Sequence, residues 1–395
     1  MSTPTYPSNV LGQLGARAVW LWGTGSLAAA TLTRLDGRFS VAGVIHGRGP
    51  APGPTWHGLR VAPPDDVLSP ELPRPFVVVC SMYVHEIGAD LERRGFRRGI
   101  DWCAAGDVAL EPTDRRLTAQ IERWREMLTR PSGVHVGDLA QFDDAFWLWL
   151  NTQMPGADVS GGLVPPLPAE EIQERLTGAA GGTSLTHGFN QYRLMRQLAR
   201  EAGVDFSHVD RLLDFGCGYG RIVRFFRKDA PQADVVGVDV SAMLVEWCRA
   251  HLPFGTWHLV PALPPTDLPT GHCSLVVSFS VFTHLSEVSH LAWLEEIHRW
   301  LVPGGVAVVT LWTHPSASRP YHEPHFPDFD ALIADFDDGR FSFSNLRYGA
   351  TATYGEAFVP RAWVDRVWTR WFDVVGWLEH HPDSPSQTHV ALRRR

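Results

Sequence analysis

Three glycines in alternation, Gly216, Gly218 and Gly220, follow an acid, Asp214, which itself follows the apolar pair Leu212 and Leu213. This order reads as a buried strand running into a turn where the backbone approaches a ligand closely, because a side chain at a glycine would fill the space. A second apolar run, 234–238, ends in Asp239 about twenty residues further on, where a carboxylate can accept from both hydroxyls of a ribose. The two features together predict a nucleotide-cofactor site. Arg221 stands where a dinucleotide fingerprint places its third glycine, so the pattern tilts away from NAD. A helix is expected from Ile222.

A proton acceptor is the next requirement, and histidine is the side chain whose ordinary pKa lies nearest neutrality. His284 follows the strand predicted at 274–280 and is the leading candidate for a general base; a role in capping the next helix or holding its loop stays open. A second group, His314, His322, Glu323 and His325, follows a later strand at 306–312 and suits acceptor contacts. Its spacing lacks a helical i, i+4 frame and matches no standard zinc pattern, so no metal is expected. Ahead of the first strand, His187, Asn190 and Tyr192 fit an ordinary helix start with polar capping groups. Cys217 reads as a small loop residue rather than a nucleophile.

These residues need a scaffold. Strands at 211–214, 234–238, 274–280 and 306–312 alternate with helices, the clearest at 287–300, which implies an α/β fold with a mostly parallel sheet. Ligands in such sheets sit beyond the carboxyl ends of the strands, where Asp214, Asp239 and His284 all fall. Pro303, Gly304 and Gly305 break the chain before 306. Two closing strands, at 372–377 and 388–392, are separated by a turn of His, Pro, Asp and Ser residues.

Through Asp214-Phe-Gly-Cys-Gly-Tyr-Gly220, Val236-Gly-Val-Asp-Val-Ser241 and Leu301-Val-Pro-Gly-Gly-Val306, the chain from about 188 onward resembles the class I S-adenosylmethionine (SAM) dependent methyltransferases. The resemblance implies a sheet with an antiparallel last strand, SAM as cofactor, and an acceptor lid in the insertion at about 313–360. It also implies a cofactor set of Asp214, Gly216, Cys217, Gly218, Gly220, Asp239, Val240, Met243 and Ser280. Within that set Asp214 and the glycine loop hold the methionine end, Asp239 the ribose, and Ser241 and Met243 lie beside the adenine. For His187, Asn190 and Tyr192 the same resemblance implies, instead of a plain helix start, that they line the site. The function implied is methyl transfer to oxygen or nitrogen of a small or medium acceptor. A sugar or nucleotide-linked sugar is the first choice, and a natural-product intermediate, including one methylated on carbon, is the other. The reading from a different class is a SAM- or nucleotide-sugar-binding scaffold without turnover.

The front third repeats the theme with a strand at 18–22, Gly23-Thr-Gly-Ser-Leu-Ala28, and a second strand at 41–45 that ends in His46 rather than an acid. It resembles the small Rossmann-like domain at the front of bacterial sugar acetyltransferases, and a purely structural or docking role stays open beside nucleotide-sugar binding. The expected organisation is therefore two Rossmann-like, doubly wound domains at 1–110 and 188–395, joined by a helical connector and linker at 111–187. Within the connector, Leu117, Ile121, Trp124 and Leu128 form one apolar stripe. With 395 residues, 44% of them hydrophobic, the chain can fill two cores. A net charge of −8 disfavours nucleic acid as a partner. No run reaches the roughly eighteen apolar residues of a membrane span. Residues 18–22 lack a basic leader, and the five cysteines are scattered, so the expectations are a cytoplasmic enzyme of small-molecule biosynthesis and no disulfide framework. Self-association into a homo-oligomer is left open.

Overall fold

The computed structural model describes residues 17–35, 40–47, 53–81, 84–98, 100–105, 115–130, 133–153, 163–315, 329–345, 352–381, 383–384 and 386–395. They fall in two compact units, one within 1–134 and 142–187, the other within 135–141 and 188–395.

The first unit runs β1 (Val19–Trp22), α1 (Ser26–Leu35), β2 (Val41–Ile45), β3 (Thr55–Trp56), β4 (Leu59–Ala62), β5 (Phe76–Val79), α2 (Val84–Arg93), β6 (Trp102–Ala104). The sheet order is β3-β4-β2-β1-β5-β6, parallel except for β3. Alternation along β5 sends Phe76 and Val78 to the face covered by Ala28 and Leu35 of α1, and Val77 and Val79 to the face covered by Val84 and Leu91 of α2. Helices on both faces of a parallel sheet make this a second Rossmann-like layer structure. Gly23 takes φ +130°, and a Cβ there would meet the Cys80 carbonyl oxygen at 2.4 Å, so this glycine is required by packing. Helices α3 (Arg115–Leu128), α4 (Asp144–Gln153) and α5 (Glu170–Thr177) follow. The buried stripe of α3 is Ile121, Trp124 and Met127, with Trp124 packed against Phe142 and Phe146, while the expected Leu117 and Leu128 are only half-buried.

Helix α6 (Gly181–Glu201) contains the boundary between the units, and His187, Asn190 and Tyr192 lie well inside it rather than at its start. The second unit continues with β7 (Arg211–Phe215), α7 (Val223–Phe226), β8 (Asp234–Asp239), α8 (Ala242–His251), β9 (Gly255–Leu259), β10 (Cys273–Ser278), α9 (Glu287–Trp300) and β11 (Leu301–Leu311). Then come α10 (Phe329–Asp337), β12 (Ser342–Ser344), β13 (Glu356–Phe358), α11 (Arg361–Val367), β14 (Phe372–Leu378) and β15 (Thr388–Arg394). The sheet order is β14-β15-β11-β10-β7-β8-β9, with β15 antiparallel to both neighbours. It follows that β14 runs the same way as β7 to β11, so all six of those strands end on one edge. On one face α9 buries Trp293, Leu294, Ile297 and Trp300 against Leu213, Phe215 and Val276. Elsewhere in the unit, α6 and α7 meet through Phe189, Tyr192, Phe225 and Phe226.

The Pro-Gly-Gly break at 303–305 is an irregularity inside β11: pairing with β10 jumps from Cys273↔Leu301 to Leu275↔Val306. Gly304 at φ +74° and Gly305, whose Cβ would meet Val302 O at 2.9 Å, let the extra residues loop out. The insertion after β11 carries the antiparallel pair β12 and β13, and a small core of Trp312, Phe329, Leu332 and Phe358.

His290 of α9 is fully buried among the rings of Phe282, Phe341, Trp363 and Trp368, and among the described residues neither ring nitrogen has a hydrogen-bond partner. Burial pushes it down to about 3, so it folds neutral. The unfolded chain takes up that proton below about pH 6.5, so stability is intact above this value and is lost as pH falls toward 3, at up to about 1.4 kcal/mol per pH unit. His290→Phe should flatten the decline by about one proton's worth, read by urea unfolding at pH 7 and pH 5. An equal decline in wild type and variant would show that His290 is protonated in the fold.

Candidate active site

The turn after β7 is built by packing before any ligand is considered. Gly216, Gly218 and Gly220 adopt φ values of +76°, +53° and +70°. A Cβ on Gly216 would meet Val281 Cγ2 at 2.2 Å, and one on Gly220 would meet Leu252 Cδ1 at 2.5 Å. At Gly218 the same Cβ would find nothing within 4 Å. Only Gly218 therefore opens onto free space; its two neighbours are glycines because other side chains press on them. Gly237 on the adjacent strand is of that second kind, with Trp257 Cε3 at 2.2 Å. The helix after the turn, α7, has four residues and starts at Val223, with Ile222 as its N-cap.

Asp239 closes the turn. Its Oδ2 accepts from Gly218 N at 2.9 Å and its Oδ1 from Ser241 N at 2.8 Å, so one carboxylate ties the glycine loop to the start of α8. Val238 O accepts from both Gly216 N and Cys217 N, at 2.9 and 3.1 Å. Burial raises the Asp239 carboxyl, opposed by those backbone donors. Asp214 is almost fully buried, and no described group donates a hydrogen bond to it; desolvation, then the charge of Asp239, pushes it up to about 7. Beside Asp239, Val240, Met243 and Leu259 are large apolar residues left more than half exposed, at 60%, 51% and 51%. The Cys217 thiol is pushed up by its contact with Cys248 and by burial, which keeps it un-ionised and inert.

At the end of β10, Ser280 holds a left-handed φ of +58°. Its amide donates to Thr310 Oγ1 at 2.8 Å, and its hydroxyl accepts from Gln387 Nε2 at 3.0 Å. Strained backbone at a strand end marks a position fixed by its surroundings. His284 lies four residues on, with Nδ1 2.9 Å from Gly355 O and 3.5 Å from the buried Glu356 Oε2. A carbonyl only accepts, so Nδ1 carries the hydrogen and Nε2 is the basic nitrogen. Its ring stacks on the half-exposed Tyr354.

Residues 212–305 match the family described as "Methyltransferase domain". Among curated proteins the chain is similar to trans-aconitate 2-methyltransferase of Azoarcus sp. (strain BH72), 32% identical over 123 residues, covering 31% of this chain and 45% of that one. It is also similar to demethylmenaquinone methyltransferase of Chlamydia pneumoniae, 29% identical over 132 residues, covering 33% and 54%. The chain spans about half the length of these relatives. Among solved structures, the N-methyltransferase NodS from Bradyrhizobium japonicum WM9 in complex with S-adenosyl-l-homocysteine aligns with a TM-score of 0.34 at 14% identity, over 52% of this chain and 87% of that one.

The cofactor that the sequence resemblance implies is S-adenosylmethionine. The residues present fit it. Gly218 is a cradle that a Cβ would fill, Asp214 is a buried carboxyl without a donor, and the exposed Val240, Met243 and Leu259 offer an apolar surface next to Asp239. A cationic sulfonium and ammonium complement two carboxyls whose ionisation burial disfavours.

The remaining sequence candidates separate. Tyr192 is fully buried, with its hydroxyl shared between Asp229 and Arg196 and its ring packed on Phe225 and Phe226, so it corrects to a core position of α6 rather than an acceptor contact. His187 lies in the first compact unit, on α6. His314 follows β11 and stacks on His380. His322 and His325 lie outside the described residues. Sequence reasoning missed Glu356, Tyr354 and Gln387, which come from segments roughly 70 to 107 residues beyond the groups they touch and belong to no local motif.

The Asp214 carboxyl yields a stability prediction. Its folded pKa, about 7, lies above the ordinary 3.8, so the unfolded chain loses the proton first and stability falls as pH rises across that window, remaining low above it. Asp214→Asn removes the buried charge. It should melt above wild type at pH 8, with the difference shrinking toward pH 4, by differential scanning fluorimetry. A pH-independent difference would mean that the charge carries no such cost.

Proposed function

We propose that the chain transfers a methyl group from S-adenosylmethionine to an oxygen or nitrogen of a small or medium acceptor, with sugars and nucleotide-linked sugars as the first class to try. The observation that carries this reading is one strand edge bearing both an open glycine cradle between two acids and a histidine fixed by a carbonyl and a buried carboxylate. Two of the relatives are named for small-molecule acceptors, trans-aconitate and demethylmenaquinone. The sugar class rests on the Rossmann-like first unit and its resemblance to acetyltransferase front domains.

When bound, the cofactor supplies an electrophilic methyl group on a cationic sulfur. The protein's work is then alignment, exclusion of water and removal of a proton. Asp239 holds the ribose while keeping the glycine loop in place, Asp214 faces the cationic end, and Val240 and Met243 cover the base. Gly216, Gly220 and Cys217 shape the loop, and Ser280, pinned by Thr310 and Gln387, sets the edge next to the acceptor. His284 takes the acceptor's proton at Nε2, and its Nδ1–H stays on Gly355 O with Glu356 behind it, which holds the ring in place.

Turnover distinguishes this enzyme from a binding scaffold. Incubation with S-adenosylmethionine and a panel of hydroxyl and amine acceptors should release S-adenosylhomocysteine. Asp239→Ala should weaken cofactor binding by about 1–3 kcal/mol in calorimetric titration, since Gly218 N–H and Ser241 N–H lose their acceptor along with the ribose. Unchanged affinity would remove Asp239 from the site. His284→Asn should leave cofactor affinity near wild type yet lower turnover by about 10²–10⁴-fold, with a smaller loss for a more acidic acceptor. Near-normal turnover at saturating substrate would take His284 out of the mechanism.

A further inference from the structure

We propose that His314, Glu379 and His380 form a site for a divalent transition metal of the zinc class, leaving at least one coordination position for water or an acceptor atom. Their ligand atoms all lie within 4.8 Å of one another. His314 Nε2 stands 4.0 Å from Glu379 Oε2, and the two imidazoles stack with centroids 4.0 Å apart at 27°. Donors around a tetrahedral zinc ion sit about 3.3 Å apart, given bonds of about 2.0–2.2 Å, so closure needs side-chain movements of about 1 Å.

The topology makes the convergence specific. His314 follows the end of β11, Glu379 and His380 follow the end of β14, and β15 lies between those strands in the sheet. The three side chains therefore meet over the first residues of β15, on the edge that carries Asp214, Asp239 and Ser280. Neighbouring residues of an extended chain point to opposite faces, and Glu379 and His380 would do so as well. His380 instead takes a left-handed φ of +52°, which puts both donors on the His314 side. Such a conformation costs a non-glycine residue about 1 kcal/mol or more, and His380 is exposed, so no burial of its ring offsets the strain. The Glu379 carboxylate is fixed as well: Oε1 accepts from Trp377 Nε1, which leaves Oε2 toward His314. A donor that orients a ligating carboxylate is a regular part of metal sites.

Two imidazoles and one carboxylate suit zinc, cobalt, nickel or iron rather than magnesium or calcium, which take oxygen ligands. Three protein ligands with an open position is the arrangement of catalytic rather than structural zinc.

The untagged full chain, stripped with chelator, should bind one equivalent of Co²⁺ with the intense visible absorption of a four-coordinate ion, and Zn²⁺ should displace it. His314→Ala and Glu379→Gln should each weaken Co²⁺ binding by at least about tenfold, while His322→Ala and His325→Ala bind as wild type does. Circular dichroism and cofactor titration verify that each variant is folded, independently of the metal. Absence of stoichiometric binding by the wild-type chain would overturn the site. So would unchanged binding by Glu379→Gln, which would mean that the histidine-rich stretch after β11 holds the ion unaided.

Discussion

Everything at the working edge of the second sheet depends on one carboxylate that bridges two loops. Asp239 accepts from the amide of Gly218 on one side and of Ser241 on the other, so the glycine turn cannot move without the start of α8 moving too. The turn it ties down is pressed from behind by side chains of neighbouring segments. Gly237 gives way to Trp257, Gly216 to Val281 and Gly220 to Leu252, each with a gap too small for a Cβ. Close packing at three glycines leaves the fourth, Gly218, facing open space. The open space at Gly218 is what remains after the core is filled, and its shape is set by the apolar side chains packed against the other three glycines.

That arrangement holds two acids together in a dry place, and the sheet bears the consequence. Burial and the charge of Asp239 make ionisation of Asp214 harder, and the nearby Arg221 only partly offsets this; burial does the same to Asp239 against its backbone donors. An isolated buried charge of this kind is unfavourable for the fold and favourable for a cationic ligand, which is the usual exchange of stability for function at a site. The same logic accounts for Ser280, whose left-handed backbone is held by Thr310 from β11 and Gln387 from the turn before β15. Three strands thus fix one residue, and rigidity is imported from the sheet rather than generated in the loop.

Legibility in the sequence followed the range of the interactions. The alternation of strands and helices, the bounds of α9, and the closing pair β14 and β15 could be read because each depends on a local period of apolar residues or on turn residues a few positions apart. The glycine motif was legible as a turn, but not its division into packing glycines and one cradle, since Val281 and Leu252 arrive from other segments. The bulge at 303–305 looked like a break because Pro-Gly-Gly stops most strands, and only the pairing of Leu301 with Cys273 keeps the ladder continuous across it. Tyr192 is a candidate only because the family resemblance implies that its segment covers the cofactor, whereas the three-residue offset to Phe189 turns it into the core and onto Asp229.

The histidines make the same point more sharply, because one residue type meets four environments in this unit. His290 sits in a cage of four aromatic rings, where burial removes its proton and leaves only shape and van der Waals contact. His389 is also buried and pushed down to about 3, inside the antiparallel strand that closes the sheet. His284 is near the surface and held at Nδ1 by a carbonyl with a carboxylate behind it, the condition under which an imidazole can exchange a proton and keep its orientation. His314 stacks on a second imidazole beside Glu379, where two lone pairs and a carboxylate share one small space. Spacing along the chain cannot rank these four, because what separates them is the polarity of the elements packed around each. Only two of the environments, those of His284 and His314, retain water access and a charged partner, and both lie on the edge where the strands of the second sheet end.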